Sequence, residues 1–109
     1  MEAMVAAGKD HKVLYEDDKV RILEVTVAPG VKEPMHFHRW PSVIIYETFA
    51  SNKVTRANGE VLVRSRPAAD APYPTVVKHG PEMPHSVENL DTISFHVYRV
   101  EFKQAEFRN

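Results

Sequence analysis

The feature that most constrains this chain is a succession of short apolar runs, rich in β-branched residues and each closed by a turn signal, with no stretch of sustained helical periodicity. Val20-Arg21-Ile22-Leu23-Glu24-Val25-Thr26-Val27 is a long β-branched run. Ala28-Pro29-Gly30 ends it, because proline withdraws a ladder donor and glycine permits a tight turn. Val13-Leu14-Tyr15 precedes it across the acidic turn Glu16-Asp17-Asp18-Lys19, and the strongly apolar Ser42–Phe49 follows as a central strand. Lys53–Ala57 and Glu60–Arg64 flank Asn58-Gly59, the pair favoured where both central turn residues need positive φ. Thr75–His79 is a short strand, Gly80–Pro84 turns the chain, and Thr92–Lys103 makes a last alternating strand. Roughly eight short strands without a helix predict an all-β sandwich or barrel.

At 109 residues the chain is long enough for one hydrophobic core and too short for two. The expected division is an N-terminal arm over residues 1–11, one β-barrel domain over 12–103 and a tail over 104–109. The proline-rich stretch Arg66–Pro74 is a loop that could cover or leave open one end of the barrel. Fourteen basic residues against fifteen acidic ones give a net charge of -1, with no basic run to track phosphates, so nucleic acid is not an expected partner. No apolar run reaches the length of a membrane-spanning helix, and no basic leader opens Met1–Lys12, which makes the cytoplasm the expected compartment. Barrels and sandwiches must manage their edge strands, and a homodimer formed through one is the expected assembly.

The chemistry concentrates in Pro34-Met35-His36-Phe37-His38. In an extended segment His36 and His38 face one way and Phe37 the other, so two imidazoles are aimed at one point. A third histidine, His85, lies in Pro84-His85-Ser86-Val87-Glu88-Asn89. The chain contains no cysteine, which removes disulfides, thiolate ligands and cysteine nucleophiles together, so any metal must be held by nitrogen and oxygen. Neutral imidazole suits Fe(II), Zn, Ni and Cu, and three ligands on one side leave positions open for water, oxygen or substrate.

These segments resemble the two motifs of the cupin superfamily. The first has the form G-x5-H-x-H-x3,4-E-x6-G, and Gly30, five intervening residues, His36 and His38 fit its opening. The second has the form G-x5-P-x-G-x2-H-x3-N, and His85 and Asn89 fit its end. The resemblance runs over roughly residues 12–102 and implies a double-stranded β-helix, or jelly-roll barrel. It also implies a divalent metal, Fe(II) before Zn, Ni, Mn or Cu, held by His36, His38 and His85. Ser42 or Val43 stands where the family has its glutamate ligand, Phe49 or Ala50 where the first motif closes on glycine, and Gly80 and Glu82 where the second has proline and glycine. The implied site is thus a three-histidine variant one unit more positive than usual, suited to anionic or enolate-like chelating molecules.

Other residues carry weaker signals. Trp40, Tyr46, His96 and Tyr98 are the candidate substrate-binding residues, with Met35 and Phe37 as further pocket candidates; each is equally well a core or dimer-contact side chain. His96 is an inward polar group if the last strand lines the barrel with that face. Strand alternation sends Glu47 away from the side of Ser42, as a surface or interface charge. His11 and His79 are read as exposed, Arg39 and Arg99 as solvated or paired arginines able to receive an anion, and Glu82 as a mouth residue able to act as a base. Two functions fit. The first is a non-haem Fe(II) dioxygenase acting on a small polar molecule, and the second a non-catalytic metal-binding or small-ligand-binding module, because one barrel hosts many activities.

Overall fold

A computed structural model describes residues 10–68 and 76–103. The remainder of the expected arm, the tail over 104–109 and most of the loop Arg66–Pro74 lie outside the described residues. The described residues form nine strands and no helix: β1 (His11–Glu16), β2 (Val20–Val27), β3 (His36–His38), β4 (Ser42–Thr48), β5 (Asn52–Arg56), β6 (Val61–Arg64), β7 (Val76–His79), β8 (Glu82–Asn89) and β9 (Phe95–Phe102). They build a five-stranded sheet in the order β1-β2-β9-β4-β7 and a four-stranded sheet in the order β3-β8-β5-β6. All pairings are antiparallel. No helix among the described residues is long and apolar enough to cross a membrane.

Alternation decides what each strand buries. Along β2, Arg21, Leu23, Val25 and Val27 face inward, and along β9 Phe95, Val97, Arg99 and Glu101 do the same. The register joins them pair by pair, Val27 with Phe95, Val25 with Val97, Leu23 with Arg99 and Arg21 with Glu101. One end of the interior is therefore apolar, completed by Ile44 and Ala50, and the other end is charged. The same alternation turns His96 outward, where its Nε2 lies 2.7 Å from Glu24 and its Nδ1 3.5 Å from Glu47. The sequence left the parity of His96 open; the ladder with β2 settles it by pairing His96 with the exposed Thr26.

Two local expectations change. The Asn58-Gly59 hairpin does not use positive φ at both positions: Gly59 has φ 88° and, among the described residues, no non-glycine residue has positive φ. The Gly59 amide donates to the Arg56 carbonyl at 2.9 Å and the Arg56 amide to the Glu60 carbonyl at 2.8 Å. This is a three-residue connection, a turn followed by a glycine in the left-handed region, and only that glycine requires the special conformation. The second change is that Glu82–Asn89 is a strand, although Pro84 interrupts it in sequence. The β3–β8 register slips between His36, opposite His85, and His38, opposite Glu82, so Met83 and Pro84 occupy a bulge where a missing donor is tolerated.

Asn89 ties the apolar end together. Its Nδ2 donates to the carbonyls of Val27 and Ile93 at 2.7 and 2.8 Å, and its Oδ1 accepts the Asp91 amide at 2.8 Å. The side chain is buried, so no water replaces these bonds. Asn89→Ala is expected to destabilise the fold by roughly 2–4 kcal/mol, the sum of three ordinary hydrogen bonds, as measured by urea denaturation. A loss under about 0.5 kcal/mol would show that the junction does not depend on this side chain.

Candidate metal centre

The two histidines of β3 point inward as alternation requires, and both are buried. Their ring centroids are 5.1 Å apart. His85, across the β3–β8 ladder, brings its ring to 4.7 Å from that of His36 and 5.5 Å from that of His38. The three histidines singled out by spacing are thus brought together. The bulge in β8 matters here, because a regular strand would put Glu82 and His85 on opposite faces, whereas both line the same cavity.

The sequence reading of His11 as an exposed residue is corrected. His11 opens β1 opposite Val25, is only 4% exposed, and packs its ring 5.3 Å from His36 and 5.7 Å from His38. One nitrogen from each of His11, His36 and His38 lies within 4.8 Å of the others, which makes these three the tightest ligand cluster among the described residues. His85 flanks it with its Nε2 turned to Glu82 at 3.5 Å. Alternation along β1 does not reveal this, because His11 shares the parity of the exposed Val13; the pairing with the buried Val25 is what places His11 in the interior.

A metal-ligating histidine ordinarily donates its second ring nitrogen to a carbonyl or carboxylate, which fixes the tautomer and leaves the other nitrogen to bind. His36 and His85 meet that test. Their Nδ1 atoms lie 2.8 Å from the carbonyls of Pro34 and Met83, each two residues back along the chain. Both imidazoles therefore keep Nε2 as the nitrogen available for other contacts, which in His85 faces Glu82. Burial, with the nearby Arg99 charge, holds His38 far below the usual histidine range, and burial likewise lowers His36. Burial thus disfavours the protonated form of His36 and His38, and the neutral form is the one metal binding requires. The donor set fits a divalent cation.

The cluster opens into a cavity of about 720 Å³. Apolar walls come from β2, β4 and β9, and the polar groups at the histidine end are Glu33, Glu82 and Arg99. Glu82 is not an isolated mouth residue. Burial pushes its carboxyl up, but Arg99 at 2.5 Å and His85 outweigh that and bring it down to about 2. Arg99 in turn donates to Ser42 Oγ at 3.2 Å. Ser42, at the place of the absent family glutamate, is buried and spends its hydroxyl on Arg99 and on the Trp40 carbonyl.

Of the candidate substrate-binding residues, Tyr46 lies on the cavity wall and Trp40, His96 and Tyr98 lie outside it. Trp40 is surrounded by Arg21, Arg39 and Lys103, whose cationic groups sit 4.8, 5.4 and 5.5 Å from its ring. Tyr98 packs against His96 on the outer face of the five-stranded sheet. Met35 is exposed, Glu47 is exposed as alternation predicted, and His79 is half-buried on the wall.

No protein-family model and no curated protein sequence matches this chain. Its fold does match solved structures. A cupin domain from Bordetella pertussis Tohama I superposes with a TM-score of 0.66 at 18% identity, over 85% of this chain and 91% of that one. An RmlC-like cupin protein with a double-stranded β-helix fold from Methanocaldococcus jannaschii gives 0.60 at 13% identity, over 84% and 77%. The polyketide cyclase RemF from Streptomyces resistomycificus gives 0.56 at 17% identity, over 86% and 64%. The chain has the cupin double-stranded β-helix fold.

Glu33, on the loop before β3, is a buried group with no signature in the sequence. Its Oε2 lies 3.7 Å from His11 Nδ1 without a hydrogen bond, and burial, reinforced by the charge of Asp10, pushes its carboxyl up to about 8. Between the ordinary value of 4.5 and about 8 the folded chain holds a proton that the unfolded chain has released, so this group lowers stability as pH rises through that window. Glu33→Gln removes the effect. In metal-free protein the stability advantage of the variant is expected to grow from nearly nothing at the acid end to a few kcal/mol at the alkaline end. Denaturant titrations at stepped pH check it; parallel pH profiles for the two proteins would place Glu33 in water rather than in the cavity.

Proposed function

We propose that the cavity is the metal centre of a small oxidoreductase of the non-haem Fe(II) dioxygenase type, acting on a small polar molecule. The observation that carries this reading is the convergence of His11, His36, His38 and His85 on one cavity, with the outer nitrogens of His36 and His85 already anchored by backbone carbonyls. His36 and His38 are the shared pair, and His11 and His85 complete the set from either side of it. Imidazole is a neutral ligand, so this set would suit a divalent cation without adding to its shell the negative charge of a carboxylate. Fe(II) bound there would supply oxygen chemistry and a positive centre for a chelating anion. The chain's own groups do the rest: Arg99 and Glu82 set the polarity beside the ligands, and the walls from Val25, Val97 and Phe95 exclude water and orient an apolar portion of the substrate.

A second reading has support from the likeness to a polyketide cyclase. In it the same metal and the carboxyls of Glu33 and Glu82 perform acid–base work on a carbonyl compound, with no oxygen consumed.

The test begins with metal. Protein purified without chelator is expected to carry close to one equivalent of a divalent first-row metal, and His38→Ala to lose most of it, both read by elemental analysis. Full occupancy in that variant would remove the centre from these histidines. After anaerobic reconstitution with Fe(II), oxygen uptake with a panel of diketones, thiols and phenolic acids supports the oxygenase. Consumption of such a compound without oxygen uptake supports the second reading, and ligand-induced thermal stabilisation with no turnover turns both into a binding module.

A further inference from the structure

Of the three histidines on β3 and β8, His38 alone has no backbone carbonyl at its outer nitrogen. His36 uses Pro34 and His85 uses Met83, whereas His38 Nδ1 is buried without a hydrogen-bond partner. The atom nearest to serve it belongs to the other sheet. Glu101 on β9 is completely buried, its Oε2 lies 3.7 Å from His38 Nδ1, and that oxygen is likewise without a hydrogen-bond partner. Two buried, unserved polar atoms of complementary kind facing each other are not an ordinary feature of a folded interior, where such groups are almost always paired. Its second oxygen is held: Arg21 Nε donates to Glu101 Oε1 at 2.6 Å, and the same guanidinium lies over the Trp40 ring.

We propose that Glu101, clamped by Arg21, is the positioning residue of the metal centre: it accepts the proton on His38 Nδ1 and thereby presents His38 Nε2 as a ligand. This rests on the metal-centre reading. The gap of 3.7 Å closes by a small rotation of the imidazole, the movement a cation drawing on Nε2 would cause. With that bond made, His36, His38 and His85 share one design, each with Nδ1 orienting and Nε2 ligating. Glu101 thus stands behind His38 as Glu33 stands behind His11, each carboxyl oxygen 3.7 Å from an Nδ1 atom. A carboxylate in that position raises the basicity of the imidazole as well as fixing it. The chain that lacks a carboxylate beside its metal at Ser42 thus keeps one a single residue further out, on the strand that pairs with Ser42.

Glu101→Gln conserves shape and leaves an acceptor for Arg21 while removing the charge. It is expected to weaken Co(II) or Zn(II) binding about 10- to 100-fold in chelator competition, with Glu101→Asp restoring part of the loss. Co(II)-loaded wild-type protein is expected to show a contact-shifted, exchangeable Nδ1–H resonance for His38 that broadens by exchange in the glutamine variant. A purely structural ion pair would lower thermal stability and move neither readout. In metal-free wild-type protein, long-range 1H–15N correlation is expected to find His38 as the Nδ1–H tautomer, a measurement that requires no variant to fold. The opposite tautomer, or unchanged affinity and resonance in Glu101→Gln, overturns the role of Glu101 while leaving the centre standing. Absence of Co(II) binding by the wild type overturns the centre itself.

Discussion

The interior of this barrel depends on the pairing of buried charge. Among the described residues the buried side chains include seven apolar ones, Leu23, Val25, Val27, Ile44, Ala50, Phe95 and Val97, and twelve polar or charged ones. A carboxylate or guanidinium out of water costs several kcal/mol even after relaxation, and removing one member of a buried pair typically costs about 3–5 kcal/mol. Arg21 with Glu101 and Arg99 with Glu82 are therefore conditions for the charged end to exist at all. The second of these crosses from β9 to β8 and ties the two sheets at the cavity. Buried pairs seldom add net stability over apolar packing of the same volume. Their presence here is better explained by what they surround, a group of neutral imidazoles that needs a fixed electrostatic frame.

That frame follows from the register of two strands. Pairing Val27 with Phe95 and Val25 with Val97 commits the next inward positions, Leu23 with Arg99 and Arg21 with Glu101, to the other end of the barrel. A slip of one residue would bring Glu24 and His96 inward and turn both arginines out, so the apolar half of the ladder holds the polar half in place. The bulge at Met83 and Pro84 does the complementary work in the four-stranded sheet. It reverses the parity of β8 between Glu82 and His85, and so permits the carboxylate and the imidazole to meet on one side.

What the sequence made legible was what depends on short range. Period-two alternation placed His36 and His38 on one side and turned Glu47 outward; the strand runs and turn residues gave the all-β architecture. Illegible were the residues whose role is set by a partner far along the chain. His11 is assigned by its register with Val25, Glu33 by a loop that folds its side chain under β1, and Glu101 by facing a histidine on the opposite sheet. None of these has a spacing signature, because the distance in sequence from His38 to Glu101 carries no information about which face of β9 looks inward. The Asn58-Gly59 hairpin shows a different limit: the turn residues identified the connection, but its three-residue form is decided by the β5–β6 register, which leaves Gly59 alone in the left-handed region.

The absence of a carboxylate at Ser42 and the depressed basicity of the histidines bear on the same competition. Protons and metal ions contend for the same lone pairs, and a histidine must be neutral to ligate. Burial, with Arg99 nearby, disfavours the protonated form of His36 and His38, so both hold a proton less readily than an exposed histidine does. The same burial would also disfavour a bare metal cation. What separates the two is number and geometry, since a proton satisfies one imidazole whereas a metal draws on several at once, with Glu82 and Glu101 placed near the cluster to oppose its charge. Neutral ligands beside these carboxyls thus favour a multiply coordinated cation over a proton, and leave the charge that a bound anion would meet on the metal rather than cancelled by a ligand.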